Sequence, residues 1–135
     1  MNREIKINQF RMQYDYLSNF YPVCVTIDGL TYLNAEAAFQ ASKCVDSKDR
    51  EQFCELTPEQ AKRLGRKIHL RHDWERVKIS VMKRVVRAKF TQNPHLAGFL
   101  VETVDAELIE GNNWHDTIWA WILKREKART IWGKS

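Results

Sequence analysis

The sequence predicts a mainly helical α+β fold: a single compact multihelical domain over residues 1–135 with a small N-terminal β-hairpin. Three observations predict it. Asp28-Gly29 separates two β-rich runs, and glycine accepts the positive φ that a tight hairpin turn requires. Thr57-Pro58-Glu59-Gln60 combines a capping hydroxyl, a first-position proline, an acid and an amide, the signature of a helix start. Val77, Val81, Val85 and Ala88 recur on one stripe of a long helical pattern, with Met82 and Val86 beside it. A chain of 135 residues with 44% hydrophobic content can build one core and is too apolar to stay disordered.

The elements follow in order. Ile5-Lys6-Ile7 alternates and reads as a short strand. Val23–Ile27 and Leu30–Leu33 are the arms of the hairpin. Asn34 caps a helix running from Ala35 to about Cys44, and a second helix covers residues 47–56. The helix announced by Thr57 should stop at Gly65. The longest helix runs from Asp73 to about Asn93, with Pro94 just past its end, because the residue before a proline disfavours the helical conformation. His95–Glu102 reads as another helix, Gly111-Asn112-Asn113 as a loop, and the charged tail from about Ile122 to Ile131 as a last helix.

Composition narrows the function class. No run of roughly 18 apolar residues could span a bilayer. Met1–Lys6 lacks the apolar stretch of a signal peptide, so a cytoplasmic protein without membrane partners is expected. Cys24, Cys44 and Cys54 are odd in number and not tightly spaced, which argues for reduced, mostly buried thiols. The net charge is +5 and unevenly placed: eleven of the 22 basic residues lie between Lys62 and Lys89, opposed there only by Asp73 and Glu75. Such a field attracts phosphates, on a nucleotide or a polynucleotide. Along much of the long helix the plainer reading is a solvated face.

Three constellations could carry chemistry. Glu36, Gln40 and Lys43 stand at i, i+4 and i+7 and share one helix face among alanines. Glu36 sits in the first turn, where the helix dipole favours its charged form. Spacing alone favours an exposed polar stripe opposite a core of Phe39 and Ala35. Leu17-Ser18-Asn19-Phe20-Tyr21-Pro22 offers aromatics beside polar groups, a pocket wall, or more simply an anchored turn. In Gly111–Trp119, Asp116 lies between Trp114 and Trp119; a loop of this kind can stack a flat ring and bind a sugar, or be a capped turn with two core tryptophans. Arg66, following Gly65 at a helix end, could fork onto a phosphate. His69 and His72 precede the long helix in a loop, the cysteines lack paired zinc spacing, and no glycine-rich phosphate loop exists, so neither metal nor cofactor is expected.

Six motifs in order resemble the NADAR, or YbiA-like, family. They are Leu17–Pro22, Glu36–Lys43, Ala61–Arg66, Asp73-Trp74-Glu75 with Val81-Met82, Lys89–Asn93, and Leu108-Ile109-Glu110 with Asp116–Trp119. The resemblance implies a mainly helical fold with small strands and hydrolysis of N-glycosidic bonds in ribose phosphate compounds. Two activities are associated with the family: removing ADP-ribose from guanine in nucleic acid, and breaking down ribosylamino-pyrimidine phosphates of the riboflavin pathway. It places Glu36, Asp116 and Trp119 in the site, with Trp74 and Arg66 nearby, and implies a lysine that forms a Schiff base with the opened ribose. Lys43 is our assignment. Asn19, Phe20 and Gln40 complete the substrate-binding set. After Trp119 the sequence departs from the family pattern: Ala120–Lys127 replaces a glycine-rich stretch, and only Ile131-Trp132-Gly133-Lys134 resembles the later Leu-Gly-Lys element, so an atypical or shortened tail is expected.

The leading expectation is thus a metal-independent N-glycosidase acting on a ribose-phosphate or ADP-ribosyl substrate, free or carried on nucleic acid. The rival is a degenerate module that binds ADP-ribose or nucleic acid without turnover, and a structural partner protein is a third class. The oligomeric state is left open.

Overall fold

The structure is a computed structural model and describes residues 5–7, 12–102, 106–108 and 113–132. They fall into two compact units. One contains Asn19–Gln92, and the other joins the described residues up to Ser18 to those from Asn93 onward.

The Asn19–Gln92 unit opens with the hairpin, β2 (Pro22–Ile27) against β3 (Leu30–Asn34), after the strand β1 (Ile5–Ile7) of the other unit. The register pairs Val25 with Tyr32 and Ile27 with Leu30, with an irregularity between Pro22 and Val25. Asp28 at φ 50° and Gly29 at φ 83° make the two-residue turn, and a turn with two positive φ angles matches the strands' own twist.

β3 runs directly into α1 (Ala35–Ala41). The Asn34 side chain accepts the Ala37 amide N–H at 2.7 Å and donates to the Leu56 carbonyl at 3.0 Å. It caps α1 and ties it to a later loop. All seven residues of α1 are buried. The alanines permit this, since they let neighbouring backbone approach on every side. α2 (Ser47–Glu51) is shorter than the expected 47–56, the remainder being turns. α3 (Pro58–Gly65) has the predicted capping box, Thr57 and Gln60 satisfying each other's backbone. α4 (Trp74–Thr91) turns Met82, Val85, Val86 and Phe90 inward. α1 packs on α3, α4 and both hairpin strands and is the centre of this unit.

In the other unit, a 3-10 helix (Met12–Leu17) and α5 (Pro94–Glu102) are joined by the Tyr16 hydroxyl, which donates to the Phe99 carbonyl at 2.9 Å. Burial pushes the Tyr16 pKa up to about 12. β1 pairs in parallel with β4 (Ala106–Leu108), a strand not foreseen in the sequence. α6 (Trp114–Trp132) is one continuous helix of 19 residues. The expected loop through Trp119 is therefore corrected: Asn113 caps the helix by accepting the Asp116 amide N–H at 2.9 Å, so 114–119 are already helical. Gly111 and Asn112 lie outside the described residues. The expected burial of the thiols is corrected at Cys24, which is exposed, whereas Cys44 is buried and Cys54 half-buried. No helix among the described residues is long and apolar enough to cross a membrane.

Candidate active site

The polar stripe of α1 is not solvated. Glu36 is fully buried and Gln40 is 5% exposed, which overturns the exposed-face reading that spacing favoured. A buried carboxylate must be bonded to be tolerated, and Glu36 is bonded at both oxygens. Gln40 Nε2 donates to Oε2 at 2.6 Å, and the Asn19 side-chain amide donates to Oε1. The backbone repeats the tie, since the Glu36 N–H donates to the Asn19 carbonyl at 3.0 Å. The segment Asn19–Pro22 and the helix α1 are thus brought together by one carboxylate and its flanking amides.

α1 ends at Ala41, three residues before the expected Cys44. Lys43 lies in a turn after it, its N–H donating to the Gln40 carbonyl at 3.1 Å. It stays near the other two residues without continuing the α-helical face. The half-buried Lys43 ammonium is held below the usual lysine range. Burial is the main cause, the Glu36 carboxylate opposes it, and the Arg66 charge reinforces it. Its Nζ stands 6.0 Å from the centre of the Trp74 ring, which tilts against Phe39 at 5.2 Å. Trp74 is buried at the start of α4. Arg66 is exposed just after α3, able to meet an anion. Phe20, next to Asn19, is half-buried with Lys62 Nζ 5.8 Å from its ring.

Two contributors were not singled out from the sequence. Gly65 was read only as a helix stop, yet a Cβ there would overlap the Gln40 side-chain oxygen and lie 2.8 Å from its Cδ. Arg71 was counted only among the basic residues. Its backbone N–H donates to the Lys43 carbonyl at 2.9 Å and its guanidinium to the Ser42 carbonyl at 3.4 Å. Asp73 holds that guanidinium at 2.6 and 3.0 Å. The only sequence signal for this pairing was the i, i+2 spacing of opposite charges before a helix.

Asn19, Glu36, Gln40, Lys43, Arg66 and Trp74 are brought together in one unit. Asp116 and Trp119 belong to the other. Asp116 lies in the first turn of α6, where Asn113 Nδ2 donates to its Oδ2 at 3.3 Å. Trp119 is buried, its indole N–H donating to the Leu17 carbonyl at 2.7 Å. Among the described residues no three His, Cys, Asp or Glu side chains converge as metal ligands do.

The chain has counterparts among known proteins. The family model of the NADAR domain matches residues 7–135. N-glycosidase YbiA of Escherichia coli (strain K12) is 38% identical over 118 residues, a match covering 84% of this chain and 73% of that protein. A riboflavin biosynthesis protein of Vibrio vulnificus (strain YJ016) is 37% identical over 107 residues, covering 77% of this chain and 29% of that protein. The NMR structure of E. coli YbiA superimposes with a TM-score of 0.81 at 30% identity, covering 98% of this chain and 88% of that one. With the family model spanning nearly its whole length and the fold matching at that level, this chain belongs to the NADAR domain family.

Proposed function

We propose that the chain is a metal-independent N-glycosidase that cleaves the bond between ribose and a base in a ribose-phosphate or ADP-ribosyl compound. The observation that carries this reading is Glu36: a fully buried carboxylate held at both oxygens by Asn19 and Gln40, with an amine of lowered pKa beside it. Breaking a ribose N-glycosidic bond builds positive charge at the anomeric carbon. A carboxylate fixed in a dry setting stabilises that charge without reorganising. Lys43, free base at a lower pH than an ordinary lysine, attacks the anomeric carbon as its bond to the base breaks, and the base departs with the proton that the amine gives up. Opening of the ribose ring, its oxygen leaving as a hydroxyl, gives the Lys43 imine, and water hydrolyses that imine to release the sugar and the amine. Arg66 holds phosphate and Trp74 offers an apolar wall. Asp116 and Trp119 are supported by the family motif that they match. The names of the relatives, N-glycosidase and riboflavin biosynthesis protein, favour this reaction class.

The test assays release of ADP-ribose from ADP-ribosylated guanine in DNA and breakdown of ribosylamino-pyrimidine phosphate. Borohydride should trap an adduct on Lys43 that Lys43→Ala abolishes. An active wild type whose Glu36→Gln variant keeps full rate would refute the role of Glu36. Binding of ADP-ribose with no product from any candidate substrate would favour the binding module.

A further inference from the structure

Lys43 sits on a turn that α1 does not hold by itself. The helix closes on its own backbone as far as Ala41: the Ser42 N–H donates to the Ala38 carbonyl at 3.3 Å, the Lys43 N–H to Gln40 at 3.1 Å and the Cys44 N–H to Ala41 at 3.0 Å. The next two carbonyls face the other way along the chain and would need partners from elsewhere. One residue supplies both. Lys43 accepts the Arg71 backbone N–H at 2.9 Å, and Ser42 accepts the Arg71 guanidinium through Nη1 at 3.4 Å. A cation at the carbonyl end of a helix also suits its dipole.

The guanidinium is aimed by Asp73. Nε meets Oδ1 at 2.6 Å and Nη2 meets Oδ2 at 3.0 Å, a two-pronged pair that fixes orientation as well as charge. Nη1 is the corner left to reach Ser42. The Arg71 and Asp73 side chains are only 24% and 19% exposed, so water screens the pair less than a surface pair. Arg76 stands 3.9 Å from Asp73 Oδ2, but its own side chain is 81% exposed. Asp73 immediately precedes α4, and the Trp74 N–H donates to the Arg71 carbonyl at 3.2 Å. The turn that carries the amine and the ring 6.0 Å from that amine are therefore set by one three-residue span, Arg71 to Trp74.

We propose that Arg71, aimed by Asp73, is a positioning residue for the reaction at Lys43: it fixes the turn that carries the amine and so holds the amine beside the Trp74 ring. This rests on the reading of Lys43 as the nucleophile. Misplacing a reacting group by an ångström can cost about a hundredfold in rate. The groups whose charge acts on the amine are Glu36 of α1, Arg66 after α3 and Cys44 of the same turn, while α4 presents the uncharged Trp74 ring to it. The variants below leave all four in place.

The experiment is trace acetylation of the full chain by acetic anhydride over a pH series, read at each lysine by mass spectrometry. It gives the titration midpoint of Lys43, with the exposed Lys67 as internal standard. Burial holds Lys43 below its ordinary value of 10.5, so a loosened turn that lets the ammonium reach water moves the midpoint up towards that value. Arg71→Gln removes the guanidinium and keeps the main-chain bond. It should shift the Lys43 midpoint to higher pH and lower kcat on the order of tenfold, with KM little changed. Asp73→Asn leaves the guanidinium present but poorly aimed and should act in the same direction to a smaller extent; it carries the test if Arg71→Gln does not fold. Two controls should change neither quantity: Arg76→Gln, which removes the exposed cation beside Asp73, and Thr57→Ala, which weakens the unit at a cap outside the turn. An unchanged Lys43 midpoint in both test variants, an equal shift in either control, or a shifted midpoint with unchanged kcat would overturn the proposal. Acetylation needs no turnover. An inactive wild type whose Lys43 midpoint still follows Arg71 would sink the glycosidase reading and leave the hold of Arg71 on Lys43 standing.

Discussion

The side-chain amide of Gln40 donates to Glu36 at 2.6 Å, while its own oxygen, buried against Gly65, has no hydrogen-bond partner among the described residues. A buried acceptor left open costs about 1–3 kcal/mol, and a substrate N–H or O–H would relieve it. Gln40→Leu should therefore weaken substrate binding while largely preserving the fold, seen as a rise in KM together with a fall in kcat from the loosened Glu36. Glu36→Gln should lower kcat by about a hundredfold or more. Steady-state kinetics beside thermal melts separates the two effects.

Gly65→Ala should injure activity more than stability. The added methyl meets the far end of the Gln40 side chain. That chain can swing away, at a cost of about 1–3 kcal/mol, only by releasing Glu36. In a Gln40→Ala background the obstacle is gone, so adding Gly65→Ala should cost almost nothing. A double-mutant cycle in melting free energy reads this coupling directly.

The pH dependence of trapping at Lys43 has a fixed sign. Its pKa lies below the ordinary lysine value of 10.5, chiefly through burial, so the rate of borohydride-trapped adduct formation should rise with pH and level off below that value. Arg66→Gln removes a neighbour that lowers the pKa and should move the profile to higher pH. Glu36→Gln removes one that raises it and should move the profile lower. The same depression contributes stability that is present above 10.5 and is lost as pH falls through the folded value.

Two caps distinguish support from scaffolding. Thr57→Ala removes an exposed capping box and should cost about 1 kcal/mol with activity retained. Asn34→Ala removes a buried cap and also leaves the Leu56 carbonyl without this donor. It should cost roughly 2–3 kcal/mol and reduce activity, because α1 carries the site. Chemical denaturation with parallel assays checks both.

Local rules made the hairpin, the Asn34 cap and α3 legible, since each depends on a few adjacent residues. The parallel pairing of β1 with β4 was not legible: it joins three-residue segments a hundred positions apart, and no local pattern announces such a contact. The start of α6 was hidden because Asn113 reads equally as a loop residue and as a cap. In the site, the i, i+4 pair Glu36 and Gln40 could be found from spacing, but not its burial. The overlooked clue was Ala35, Ala37, Ala38 and Ala41, which leave α1 without a bulky face to turn towards solvent. Gly65 and Arg71 act through distant residues, so their own neighbours in sequence say nothing of it.

α1 has only seven residues, every one buried. A helix of that length does not persist alone in water, so its amide protons should exchange with deuterium only through the opening of the whole unit. Catalytic competence and the folded population would then rise and fall together. Fraying of α2, which buries none of its residues, would leave the reaction untouched, and activity lost on warming would trace the cooperative melting curve rather than precede it.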